Sequence, residues 1–167
     1  MTTLQQQIQQ CLQEKPELRT VEVARQLECS EWEVICSLPD ELATCLPGER
    51  AQELLLRMAE WGLVTTIVEV ESSIFEFKGS LPTGSLAYGY YNLFGKPGQL
   101  HGHLKLDAVA HIALISKPLR GKEAYAVSFF SNAGGCIFKV YLGRDTQGDI
   151  LHNQRLEFEK LKELAHE

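Results

Sequence analysis

The sequence lacks a long apolar run, a basic stripe and a paired cysteine motif, and each absence removes a class of function. Its longest apolar stretches, such as Ala108 to Ser116, fall far short of the ~20 residues a membrane-crossing helix needs. Its start, Met1-Thr2-Thr3-Leu4-Gln5-Gln6-Gln7, has neither the basic residues nor the apolar core of a secretory leader, so no membrane partner is expected. Lys and Arg total 16 against 22 Asp and Glu, a net charge of −6. Nucleic acid is held through clustered cations on its phosphates, so no nucleic-acid partner is expected either. The five cysteines, Cys11, Cys29, Cys36, Cys45 and Cys136, are odd in number, irregularly spaced and without a C-x-x-C pair. They read as free, mostly buried thiols in a reducing compartment, the cytoplasm. A G-x-S-x-G elbow, a glycine-rich phosphate loop and an H-E-x-x-H motif are all missing. No catalytic residue is assigned, and the chain is expected not to be an enzyme.

What is present is ordinary globular material. Hydrophobic residues make up 44% and charged residues 23% of 167, close to soluble averages and long enough for a real core without staples. The first third reads as helix. Thr3 with Gln6, and Ser30 with Glu33, fit reciprocal capping boxes, Thr20 can cap a helix running to Leu27, and another helix follows Pro47. After Gly62 the texture changes to β-branched and alternating segments: Leu63–Val70, Ile74–Lys78, Leu86–Leu93, Gln99–Leu106, Ala108–Ser116, Tyr125–Ser131 and Cys136–Leu142. Glycine and proline turns divide them, with no helical pattern between, which means an antiparallel sheet. A last helix from about Leu151 presents Leu151, Phe158, Leu161 and Ala165 on one face. The expected class is α+β: N-terminal helices over residues 1–61, then a large antiparallel meander with a C-terminal helix packed on it over 62–167, in one compact domain. The C-terminal helix and the helix of Leu54, Leu55 and Met58 cover one sheet face, leaving the other free for a ligand or a second subunit.

Three constellations could carry chemistry. Val21 to Leu38 has the outline of a helix-turn-helix, but its second helix offers Glu31, Trp32 and Glu33, and carboxylates would face phosphates. His101 and His103 share one face of a strand, with Lys105 next in that row and His111 one strand later; three imidazoles could hold a zinc or iron ion. The run Tyr88-Gly89-Tyr90-Tyr91 puts Tyr88 and Tyr90 on one face and Tyr91 on the other. A phenol beside an imidazole-bearing strand suits a ferric porphyrin, where phenolate serves as an axial ligand.

Several blocks, in order, resemble one family. They are Trp61-Gly62-Leu63-Val64-Thr65-Thr66, Gly89-Tyr90-Tyr91-Asn92-Leu93, Gly102-His103-Leu104-Lys105, His111-Ile112-Ala113-Leu114-Ile115 and Tyr141-Leu142-Gly143-Arg144-Asp145. Together they resemble the haem utilisation carrier family, the HutX/ChuX/HuvX group. The resemblance implies a cytoplasmic homodimer that binds haem (haem b) in an apolar cleft on its sheet and passes it to a separate haem-degrading enzyme. It places the family's tyrosine on Tyr90 and its histidine on His103, with His101, Tyr88 and Lys105 completing the expected cofactor-binding set and Tyr90 or His103 meeting the iron. Phe75, Phe77, Phe94, Phe129 and Phe130 are candidate walls; Lys78, Lys96, Lys105 and Arg144 are candidate partners for the propionates. Some members carry a histidine in the strand before Ser72, where this chain has Glu69. Two other readings compete: a haem-degrading enzyme of a related fold, and a regulatory helix-turn-helix module.

Overall fold

Side-chain caps open two of the N-terminal helices where the sequence places them. The computed structural model, which describes residues 1–167, begins with α1 (Leu4–Glu14), α2 (Thr20–Leu27) and α3 (Glu31–Cys36). Thr3 accepts from the Gln6 amide while Gln6 accepts from Thr3, and Ser30 and Glu33 repeat the box at α3. Each box satisfies two amides that a helix start otherwise leaves bare. Thr20 takes a different role. Arg19 caps α2, its amide donating to Glu22, and the Thr20 hydroxyl donates instead to the Glu31 carboxylate at 2.6 Å. Glu31 is buried, and a buried carboxylate without donors costs far more than an uncapped helix end.

The chain continues through β1 (Ala43–Pro47), a 3-10 turn, α4 (Ala51–Met58), β2 (Leu63–Val70), β3 (Ser73–Ser80), β4 (Gly84–Ala87), β5 (Tyr90–Phe94), β6 (His101–Leu104), β7 (His111–Ile115), β8 (Ala126–Phe130), β9 (Cys136–Leu142) and α5 (His152–Lys162). Two antiparallel sheets result, one of six strands in the order β1-β7-β8-β9-β2-β3 and one of three, β4-β5-β6. The strand β1 lies in the stretch read as helical. It pairs with β7 from Ala43 opposite Ile115 to Pro47 opposite His111, so cross-strand pairing overrides a weak local preference.

Alternation sends Ile112, Leu114, Val127, Phe129, Val140, Leu142 and Val64 to one face of the large sheet. There they meet Leu54, Leu55 and Met58 of α4 and Phe158 and Leu161 of α5. Each such side chain contributes about 1.5–3 kcal/mol when fully buried. In the 3-10 turn Glu163–His166 that follows α5, the inward residue is Leu164 rather than Ala165, which is exposed. Gln154, fully buried on that helix, ties it down by accepting from the Gly143 amide and donating to the carbonyls of Trp61 and Leu63.

The second face of the large sheet is not free. Ile35 and Leu38 pack on Ala113, Ile115 and Phe130, and polar pins reinforce them. Lys139 meets Glu31 at 2.6 Å, Arg19 and Arg25 both hold Glu69, and the Lys117 ammonium donates to the carbonyls of Pro16 and Leu18 at 3.0 and 2.7 Å. The small sheet leans on the first face through Tyr91 and Leu93, so the bare surface belongs to β4–β6. All five thiols are free. None of them is buried, and Cys36 and Cys45 are exposed. Desolvation pushes the Cys136 thiol up to about 12, which makes it a poor nucleophile at a hairpin end.

Candidate functional site

The site is built on a hairpin that the sequence shows only in part. The segment read as one strand, Leu86–Leu93, is two, because Tyr88 and Gly89 both take positive φ, 56° and 80°. With Ala87 opposite Tyr90 they form the two-residue turn whose twist matches that of antiparallel strands. Tyr88 therefore does not share a strand face with Tyr90. It sits at the tip of the turn, 98% exposed.

The next two tyrosines diverge. Tyr91 is fully buried, its hydroxyl accepting from the Gly84 amide at 3.0 Å. A Cβ on Gly84 would stand 2.6 Å from that ring, so the glycine makes room for it. Tyr90 points outward and is 41% exposed. Register brings Asn92 opposite His103 and Phe94 opposite His101. Paired residues share a face and alternate residues do too, so Tyr90, Asn92, Phe94, His101 and His103 line the outer surface together. The rings of Tyr90 and His103 meet edge-on with centroids 6.0 Å apart. The Lys105 ammonium lies 5.5 Å from the Tyr90 centroid and donates to the Gly89 carbonyl at 3.1 Å and to Asp107 at 3.0 Å. That hydrogen bond holds the Asp107 carboxyl below its usual range.

Tyr90, His103 and Lys105 are thus brought together, with His101 one step along beside Phe94, itself 64% exposed. His111 is not part of the group. It faces the helices, stacked on Trp32 with centroids 4.2 Å apart and planes 3° apart, and no cluster of three or more His, Cys, Asp or Glu side chains that could hold a metal ion forms. Phe129 and Phe130 are not walls, since both are wholly buried in the core. Arg144 donates to the carbonyls of Gly148 and Glu123. The helix-turn-helix outline is a packing unit: Glu31 is buried against Lys139 and Trp32 stacks on His111, which turns α3 toward the sheet and away from any groove. A cavity of about 760 Å³ lies elsewhere, lined among others by Leu12, Leu38, Leu42 and Lys117, and none of the outward residues of β4–β6 borders it.

One residue that sequence reasoning passed over is Asn92. Only 6% exposed, it donates from Nδ2 to the carbonyls of Ser85, Ala87 and Tyr90, and its Oδ1 stands 2.6 Å from His103 Nδ1. The signal that finds it is strand register, which a lone sequence reveals only once the Tyr88-Gly89 turn is recognised.

The profile of the haem utilisation ChuX/HutX family matches residues 44–161, from β1 nearly to the end of α5. The chain belongs to that family. It is 42% identical over 163 residues to the intracellular heme transport protein HutX of Vibrio cholerae, covering 98% of this chain and 84% of that one. Among solved structures it resembles the heme binding protein ChuX, with a TM-score of 0.86 at 33% identity over 96% of this chain and 99% of the other. The heme degrading enzyme ChuS of Escherichia coli shares the fold at 16% identity and a TM-score of 0.74; the match takes in 92% of this chain but 47% of that longer one. No helix is long and apolar enough to cross a membrane.

Proposed function

We propose that this protein is a cytoplasmic haem carrier that binds haem b on the outward face of β4–β6 and delivers it to a separate haem-degrading enzyme. The observation that carries the reading is the shared exposure of Tyr90, His101 and His103 beside the Lys105 ammonium, in a chain of this family. Such a surface has too few donors to hold a bare ion, whereas a porphyrin brings its own ring of nitrogens and asks the protein for one or two axial ligands. Tyr90 supplies the axial oxygen, because Fe(III) favours a phenolate over a neutral phenol. Ferrous iron has one positive charge fewer and holds that oxygen less well, which suits a protein that must release its cargo. Lys105 pairs with a propionate, and the exposed Phe94 and Leu86 offer apolar contact to the macrocycle.

The carrier works as a homodimer. Val68 and Phe75, directly opposite on β2 and β3, share a face with Val70 and are 36%, 65% and 55% exposed. They lie at the edge of the large sheet, where open backbone groups and apolar side chains invite a second copy. Light scattering at micromolar concentration is expected to give twice the chain mass, and monomer alone would contradict it.

Haemin titration followed by ascorbate tests the carrier reading. Binding with retention of the porphyrin bands is expected. Bleaching to a biliverdin-like product would instead make the protein an enzyme.

A further inference from the structure

Asn92 is a buried amide on an otherwise open surface, and its hydrogen bonds fix more than the hairpin. Three acceptors surround Nδ2, the carbonyls of Ser85, Ala87 and Tyr90 at 3.2, 3.1 and 3.2 Å. Turning the amide over would point Oδ1 at three carbonyl oxygens and leave a buried acceptor unpaired, at a cost of about 1–3 kcal/mol. The amide orientation is therefore determined by its neighbours, and Oδ1 is the atom that faces His103. An amide oxygen can only accept. At 2.6 Å from Oδ1, His103 Nδ1 must carry the proton.

We infer that Asn92 is a positioning residue which locks His103 in the Nδ1–H tautomer, so that the neutral ring presents the unprotonated lone pair of Nε2 on the face it shares with Tyr90. The hydrogen bond also fixes the ring plane, edge-on to the phenol. His103 is exposed and no hydrogen bond to Nε2 is formed, so that lone pair is available. With the opposite tautomer Nε2 would already bear hydrogen and the acceptor would be turned away from the ligand face. The tautomer assignment stands on the ligand-free protein and its Asn92 hydrogen bonds alone.

Two variants separate positioning from hairpin stapling. Asn92→Asp keeps an acceptor toward Nδ1 but loses the Nδ2 donors; Asn92→Ala loses both. Nitrogen-15 NMR of the full-length, ligand-free chain reads the tautomer directly. In the native chain and in Asn92→Asp, Nδ1 is expected to resonate as a protonated, pyrrole-type nitrogen and Nε2 as pyridine-type. In Asn92→Ala the Nε2–H form is expected to appear. A native ring protonated on Nε2, or a tautomer unchanged in Asn92→Ala, would overturn the lock whether or not haem binds.

Discussion

Both sheets carry polar side chains on a face away from the main core, yet the two faces have opposite fates. On the large sheet the charged strand residues that α1–α3 reach are paired, Lys139 with Glu31 and Glu69 with Arg19 and Arg25, while Glu76 and Lys78 on the same face of the edge strand β3 stay exposed. Even His111 is covered, flat against Trp32. On the small sheet only Asn92 is buried and bonded through both ends of its amide, while Tyr90, His101 and His103 remain open. The same alternation that makes a half-polar strand therefore produces a latch where a helix covers it and a ligand surface where none does. Strand chemistry alone does not distinguish them; cover does.

Breaking the latched face gives the largest effect. Glu31→Gln or Lys139→Met strands one member of a buried pair, which costs about 3–5 kcal/mol. Replacing both with apolar residues of similar volume is expected to recover most of that stability. Denaturant unfolding measures it. We further propose that residues 1–61 and 62–167 unfold in a single transition, because β1 and these latches join the helical segment to the sheet. A second transition would show two independent units.

The latched face also sets a pH dependence. Burial pushes the Glu69 carboxyl up, but hydrogen bonds from Arg19 and Arg25 outweigh it, so its folded pKa lies below the ordinary 4.5. The stability this group adds is full above the unfolded pKa and is lost as pH falls through the folded one. Acid unfolding curves are expected to steepen below about 4.5, and Glu69→Gln to flatten that part of the curve. An identical acid limb in the variant would contradict the latch.

The open face should respond in the reverse manner. His101→Ala and His103→Ala are expected to change stability by less than ~0.5 kcal/mol, since exposed substitutions rarely do more, while weakening haemin retention. A steep fall in melting temperature would make either histidine structural.

How legible these differences were in the sequence depended on how local their causes are. The boundaries of β2 and β9 match the reading residue for residue, because a β-branched run or strict alternation between turn signals is written in adjacent residues. Two of the three helix starts were equally local, carried by Thr3 and Ser30. The strand β1 escaped because its five residues, ending in Pro47, carry no periodicity of their own; its partner β7 lies more than sixty residues on. The Tyr88-Gly89 turn escaped because a tyrosine at positive φ is uncommon, so no Asn-Gly or Asp-Gly pair announced it. That one turn misplaced Tyr88 and hid the register setting Asn92 against His103. Tyr90, His101, His103 and Lys105 were found together because residue type and period two suffice for that. Cover by α1–α3, which separates His111 from them, is tertiary.

The central claim is that the open phenol, Tyr90, binds ferric iron. The most direct measurement is a haemin titration of the native chain beside Tyr90→Phe, which removes the oxygen and keeps the ring, recording the ferric spectrum and the affinity. The account predicts a phenolate-to-iron band in the native chain that vanishes in Tyr90→Phe, with affinity falling at least tenfold, about 1.4 kcal/mol. An unchanged ferric spectrum and affinity would contradict it.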